Sequence, residues 1–232
     1  PDELAKLGSY VEPLGAKALV IVTPSGKKRV GAKIEGGFAE AKAELLFEDF
    51  NGECSKGEVD RLVALARDNG CDIIVGVGGG KILDTAKAVA NLLTNPGKAE
   101  DYQGWELVKN PAVYKIGVPT LSGTGSECSR TCVLTNIPKK LKRGMNSDYT
   151  VYDQLLLDPD LLATVPRDQY FYTGIDTFMH CVESLNGSYR NAIIDAFSVR
   201  AVQLCEEIFL SDDMMSEPNR EKMMIASYIG GM

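Results

Sequence analysis

Three stretches of this 232-residue sequence place glycines or polar side chains at spacings that can do chemistry. The first is Gly76-Val77-Gly78-Gly79-Gly80-Lys81-Ile82-Leu83-Asp84-Thr85-Ala86-Lys87. Its glycines follow an apolar run, Cys71 to Val75, and precede a helical pattern from Ile82 to Leu93, so they fall at a strand-to-helix turn. The first N–H groups of a helix have no partner within it, and with the helix dipole behind them they favour a phosphate. Glycine alone lets a ligand approach the backbone that closely. An ordinary tight turn would have the same composition, so the stretch needs support from elsewhere.

The second stretch is Val118-Pro119-Thr120-Leu121-Ser122-Gly123-Thr124-Gly125-Ser126-Glu127, a loop of small and hydroxylated residues after a strand. Such loops offer N–H and hydroxyl donors to a polar ligand, although a plain surface turn is also consistent with the composition. The third is Gly174-Ile175-Asp176-Thr177-Phe178-Met179-His180-Cys181-Val182-Glu183. On a helix Asp176 and His180 share one face and can ligate one metal ion, with Glu183 nearby as an outer partner. A carboxylate with an imidazole suits zinc or iron. The competing reading is an Asp–His pair that only satisfies itself, because His180 is the sole histidine and most catalytic zinc centres take three protein ligands.

The elements that must position these stretches alternate. Strands are expected at Ala18 to Val22, Leu45 to Phe50, Ile73 to Val77 and Lys115 to Val118. Helices are expected at Asp2 to Leu14, Val30 to Ala43, Lys56 to Asn69 and after the glycines. Ser55 and Glu58 have the spacing of a capping box, and Val59, Leu62, Val63 and Ala66 mark one buried face. This order predicts an α/β fold with a doubly wound parallel sheet, whose ligands lie at the carboxyl ends of the strands. After Asp158 the strand signals stop, and three helices follow at Gln169 to Leu185, Asn191 to Leu210 and Glu217 to Ile229. The expected division is an α/β unit at 1–159 and a helical unit at 160–232. Ile194, Phe197, Ala201, Leu204, Cys205 and Ile208 read as core, and Lys139-Lys140-Leu141-Lys142-Arg143 as a solvated loop.

The net charge of −7, with no basic block or series of stacking aromatics, argues against a nucleic-acid partner. No apolar run is long enough to span a bilayer and the start of the chain has no signal-peptide pattern, which predicts a cytoplasmic protein without a membrane partner. The six cysteines show no CxxC pair and read as buried thiols.

Taken together, Gly78-Gly79-Gly80-Lys81 with Asp84 and Ala86-Lys87, then Pro119-Thr120 with Ser122 to Glu127, then Gly174-x-Asp176-xxx-His180-xx-Glu183 resemble, in order and spacing, the iron-containing (group III) alcohol dehydrogenases. The resemblance implies a dinucleotide-binding α/β domain followed by an all-helical metal-binding domain, NAD or NADP as cofactor, and a divalent metal, iron or zinc. It further implies an alcohol or sugar-acid substrate and a homo-oligomer, a dimer or larger. Carried over residue by residue, Gly78, Gly79 and Gly80 would hold the pyrophosphate, with Lys81 and Asp84 on the cofactor side. Thr120, Leu121, Ser122 and Thr124 would place the ribose and nicotinamide end, and Asp176 and His180 would hold the metal. Lys87 is expected to be a charge on the helix surface.

Within that family Phe50-Asn51-Gly52-Glu53-Cys54-Ser55 and Gly78 to Ala90 are similar to glycerol dehydrogenases. From Leu92 on, Leu93 to Gly97, Tyr102 to Trp105, Met145 to Tyr149 and Phe171 to Gly174 are similar to the branch containing 3-deoxy-manno-octulosonate 8-oxidase. A natural mosaic and an engineered chimera would read alike. The sequence departs from the family's pattern twice. Thr23-Pro24-Ser25-Gly26 stands where many members have a carboxylate after the first strand, leaving NAD and NADP both open. Two further metal-binding histidines of the family lie downstream of Gly230-Gly231-Met232, so the helical unit reads as incomplete, with Met223, Met224, Ile225 and Ile229 expected at an exposed apolar surface. A non-catalytic nucleotide-binding fragment and a lyase of the dehydroquinate-synthase type are the alternative functions.

Overall fold

The computed structural model describes residues 3–50 and 52–232. Asp2, the first residue of the expected N-terminal helix, and Asn51 lie outside them. A 3-10 turn at Glu3–Lys6 runs into α1 (Leu7–Val11), followed by β1 (Lys17–Val22), α2 (Pro24–Ala39), β2 (Glu44–Asp49), α3 (Lys56–Asp68), β3 (Ile73–Gly78), α4 (Gly80–Thr94) and β4 (Tyr114–Pro119). Next come a hairpin of β5 (Thr131–Asn136) and β6 (Leu141–Asn146), a short β7 (Gln154–Leu155), and the helices α5 (Arg167–Leu185), α6 (Ala192–Phe209) and α7 (Glu217–Gly231).

The main sheet is parallel, with order β2-β1-β3-β4-β7. Connections leave in opposite directions from β1 and β3, which makes the crevice between their carboxyl ends the place where a ligand binds in such a fold. Alternation along the strands assigns the two faces. Val20, Val22, Ile73, Val75 and Val77 pack under α1 and α2, and Leu19, Ile21 and Ile74 pack under α3 and α4. The helices after residue 161 have their own core around Leu162, Tyr170, Cys181, Leu204, Ile208 and Met223. Among the described residues no helix is long and apolar enough to cross a membrane.

Several expectations change. The second helix begins at Pro24, not Val30, because Thr23 caps it by accepting from Gly26 N–H at 3.0 Å and proline is favoured in a first turn. It ends at Ala39. The β5–β6 hairpin was not expected, and the basic cluster Lys139 to Arg143 forms its turn and second strand, not a free loop. On α6, Ala201, Leu204, Cys205 and Ile208 are core, whereas Ile194 and Phe197 are exposed. Met223 and Met224 are buried, while Ile225 remains exposed.

Candidate functional site

The turn between β3 and α4 is built by alternation in Val75-Gly76-Val77-Gly78. The valines face α2, and the glycines face α4, where a Cβ on Gly76 would stand 2.8 Å from Ala86 Cβ and one on Gly78 2.6 Å from Ile82 Cγ1. Helix α4 therefore rests directly on the strand. Its N-cap is Gly79, which has no side chain to cap the free N–H groups, so that end is open to an anion.

In front of this turn lies a cleft of ≈430 Å³. Gly80, Lys81 and Asp84 of α4 form its floor, Thr124 and Ser126 one edge, and Glu53 and Cys54 another. Ser129, Thr131, Val133, Thr135 and Lys142 form the wall. These hairpin residues escaped sequence reasoning. The outward alternation of Thr131, Val133 and Thr135 against the buried Cys132, Leu134 and Asn136 was the available signal. Lys142 makes no ion pair among the described residues. Lys81 instead pairs with Glu53, whose carboxyl is held below its usual range by that hydrogen bond. Cys54 is buried, which pushes its thiol up to about 12.

The hairpin is fastened to α4 by two charged side chains. Asp84 accepts from Ser126 Oγ at 2.6 Å and from Val133 N–H at 3.0 Å, and burial raises its pKa. Lys87 is fully buried, not a surface charge as expected. Its ammonium donates to Ser129 O (2.7 Å), Ser129 Oγ (3.2 Å) and Thr131 O (3.0 Å), while burial lowers its pKa.

The second stretch is less open than its composition suggests. Thr120 is buried and donates through its N–H to Gly78 O at 3.0 Å, and Leu121 faces Gly79. Ser122 is buried with no partner for its hydroxyl among the described residues. Of Thr120, Leu121, Ser122 and Thr124, only Thr124 lines the cleft, next to Gly80; Ser126 lines it further along the loop. Glu127 is buried and accepts from Ser227 Oγ at 2.7 Å, and burial raises its pKa.

A raised carboxyl contributes stability that is intact below its ordinary value of 4.5 and is lost as pH climbs through the raised value. Glu127→Gln keeps an acceptor for Ser227 and removes that titration. The variant should therefore gain stability relative to wild type as pH rises from 4.5 towards 8, in a direct comparison of Tm at fixed pH values.

On α5, Asp176 Oδ1 and His180 Nε2 lie 3.7 Å apart, both part-exposed. His180 Nδ1 is buried without a partner among the described residues, and the ring borders a separate, mostly apolar recess of ≈210 Å³ with Ile193, Phe197 and Ile229. Glu183 is exposed and forms no ion pair with either residue among the described residues. Among the described residues there is no group of three His, Cys, Asp or Glu side chains that could hold a metal. As a pair, Asp176 and His180 fit two positions of a zinc or iron sphere; they do not complete one.

Comparison with known proteins gives consistent matches. Residues 1–159 match the family described as "Iron-containing alcohol dehydrogenase". Sulfoacetaldehyde reductase of Bilophila wadsworthia is 33% identical over 94% of this chain, and the NAD-dependent methanol dehydrogenase of Bacillus methanolicus is 28% identical over 98%. The match covers 57% of the first relative and 61% of the second, so the chain spans about three fifths of their length. Both matches extend over the two stretches whose resemblances divide near Leu92. Among solved structures, a 1,3-propanediol oxidoreductase superposes with a TM-score of 0.91 at 30% identity, covering 100% of this chain and 62% of that one. The sulfoacetaldehyde reductase of Bifidobacterium kashiwanohense, solved with NAD+, gives 0.83 at 26% identity over 99% of this chain and 61% of that one.

Proposed function

Because this chain belongs to the iron-containing alcohol dehydrogenase family, we propose that it binds NAD across the β1–β3 crevice and serves the interconversion of a small alcohol and its aldehyde. The observation that carries this reading is the uncapped start of α4 opening into a cleft whose lining includes the cation Lys142, which makes no ion pair among the described residues. A pyrophosphate would sit on the N–H groups after Gly79, with Gly80 leaving room and Lys142 opposite. Lys81 would exchange Glu53 for phosphate. Thr124, Ser129 and the hairpin hydroxyls of Thr131 and Thr135 would hold a ribose and orient its base, while Val133 offers an apolar surface to the ring. The nicotinamide accepts or returns hydride when bound.

NAD is favoured over NADP by Asp49, which pairs in register with Val22 beside the end of β1 and is ion-paired with Lys27 at 3.2 Å, where its carboxylate would accept from a ribose 2′-hydroxyl. Asp176 and His180 would supply two ligands to a divalent metal, which polarises a substrate hydroxyl and lowers its pKa. The named relatives act on sulfoacetaldehyde, methanol and 1,3-propanediol, in keeping with a small alcohol or aldehyde as substrate. The resemblances in Phe50 to Ser55 and beyond Leu92 extend the proposal to polyols and sugar acids. An oligomer of two or more chains in the cytoplasm, where six free thiols stay reduced, completes the reading.

Titration of the chain with NADH and NADPH, followed by nicotinamide fluorescence, tests the proposal. NADH should bind more tightly than NADPH, and Lys142→Glu should weaken NADH by about 30-fold, the scale of losing one charged hydrogen bond. Equal binding by the variant would remove the cleft from consideration.

A further inference from the structure

Both backbone polar atoms of Gly123 are held by side chains from the helical core. Its N–H donates to Ser227 Oγ of α7 at 2.8 Å, and its carbonyl accepts from Thr177 Oγ1 of α5 at 3.0 Å. Ser227 then donates to Glu127 Oε1 at 2.7 Å, returning to the same loop. Thr177, Ser227 and Glu127 are all buried. The backbone itself is wedged in place, since a Cβ on Gly123 would stand 2.7 Å from Thr173 Cβ of α5, and one on Gly125 2.6 Å from Gly231 N of α7.

What makes this more than loop anchoring is where the two ends lead. Thr177 directly follows Asp176 and precedes His180 by less than one turn, so its hydroxyl is carried by the same turn of α5 as that pair. One residue beyond Gly123, Thr124 faces Gly80 and lines the cofactor cleft. One peptide unit therefore connects the cleft to the Asp176–His180 turn. Loops of this composition are ordinarily mobile, whereas hydride transfer depends on sub-ångström placement of its partners.

We propose that Thr177 and Ser227 are positioning residues, which set the register between the cofactor cleft and the Asp176–His180 turn through the Gly123 peptide. The proposal rests on the NAD-binding reading above. Thr177→Val and Ser227→Ala remove the two hydroxyls with little change of volume, and Ser227→Ala deletes a single oxygen. Each should weaken NADH by about tenfold and reduce the shift of its emission maximum on binding, the scale of one neutral hydrogen bond in a buried site. Thr177→Ser, which keeps the hydroxyl, should restore both to within about twofold.

Tyr170→Phe is the control for stability alone. The Tyr170 hydroxyl also ties α5 to α7, donating to Asn219 O at 3.1 Å and not to the Gly123 peptide. It should lower Tm and leave NADH binding unchanged. Wild-type affinity in both Thr177→Val and Ser227→Ala overturns the proposal, as does an equal loss in Tyr170→Phe. A wild-type chain that binds no NADH overturns the NAD-binding reading itself, and the positioning role with it.

Discussion

Asp84→Ala should lower Tm by roughly 10 °C and abolish detectable NADH binding, the broadest effect expected of any single side chain in the cleft. The carboxylate accepts from Ser126 Oγ and Val133 N–H, and so joins α4, the glycine-rich loop and the hairpin at one point. Alanine removes both bonds, strands an N–H and a hydroxyl, and takes away the carboxylate whose charge most offsets burial of the Lys87 ammonium. Losses of this kind amount to about 3 kcal/mol, and a domain of this size loses roughly 2–4 °C per kcal/mol. Thermal denaturation and an NADH titration of the same preparation check the two halves together. Asp84→Asn is the informative companion, since its amide still offers one acceptor. If Asp84→Ala melts like wild type, the hairpin is held by Lys87 and packing alone.

The second large effect is expected at Gly123. Its φ of +151° suits glycine, and an added Cβ would stand 2.5 Å from the Thr173 carbonyl carbon and closer still to its oxygen. Alanine must push the loop off α5, breaking the bonds to Thr177 and Ser227 as it goes. The cost should be about 4 kcal/mol, the upper range for a single substitution. The helical core around Leu162, Tyr170 and Met223 would then lose two hydrogen bonds to the loop after β4. Calorimetry of Gly123→Ala should show two transitions where wild type shows one; a single transition at the wild-type temperature would mean the loop can shift without cost.

The parts of the molecule that could be read in the sequence are those fixed by near neighbours. β3 was legible because an apolar run ends in glycines, and α3 because Ser55 does accept from Glu58 N–H at 3.3 Å in the expected capping position. The Asp176–His180 spacing does bring the two side chains near each other. What escaped depends on distant partners. Lys87 looks like any helix-surface lysine until Ser129 and Thr131, more than forty residues on, supply the acceptors that allow its burial. The hairpin was hidden because β6 opens with Leu141-Lys142-Arg143, whose exposed, charged face carries no apolar alternation. That miss removed the whole wall of the cleft from view. The start of α2 lies ahead of the expected Val30, since Pro24 at a first turn has no hydrogen bond to lose and Thr23 caps the helix before it. Ile194 and Phe197 continue the stripe of α6 yet lie outside the packed core, since periodicity reveals an apolar face without revealing what covers it.

The outer edge of the hairpin has a further property. Trp105 bridges to Asn146 of β6, with Glu106 N–H donating to Asn146 O at 2.8 Å, and its indole is 71% exposed. It is the only tryptophan in the chain. Ultraviolet emission excited at the indole band therefore arises from one site, beside the wall of the cleft and far in sequence from the helical core. The molecule carries its own optical probe of hairpin attachment, one that needs no label and is blind to events elsewhere except as they reach that edge.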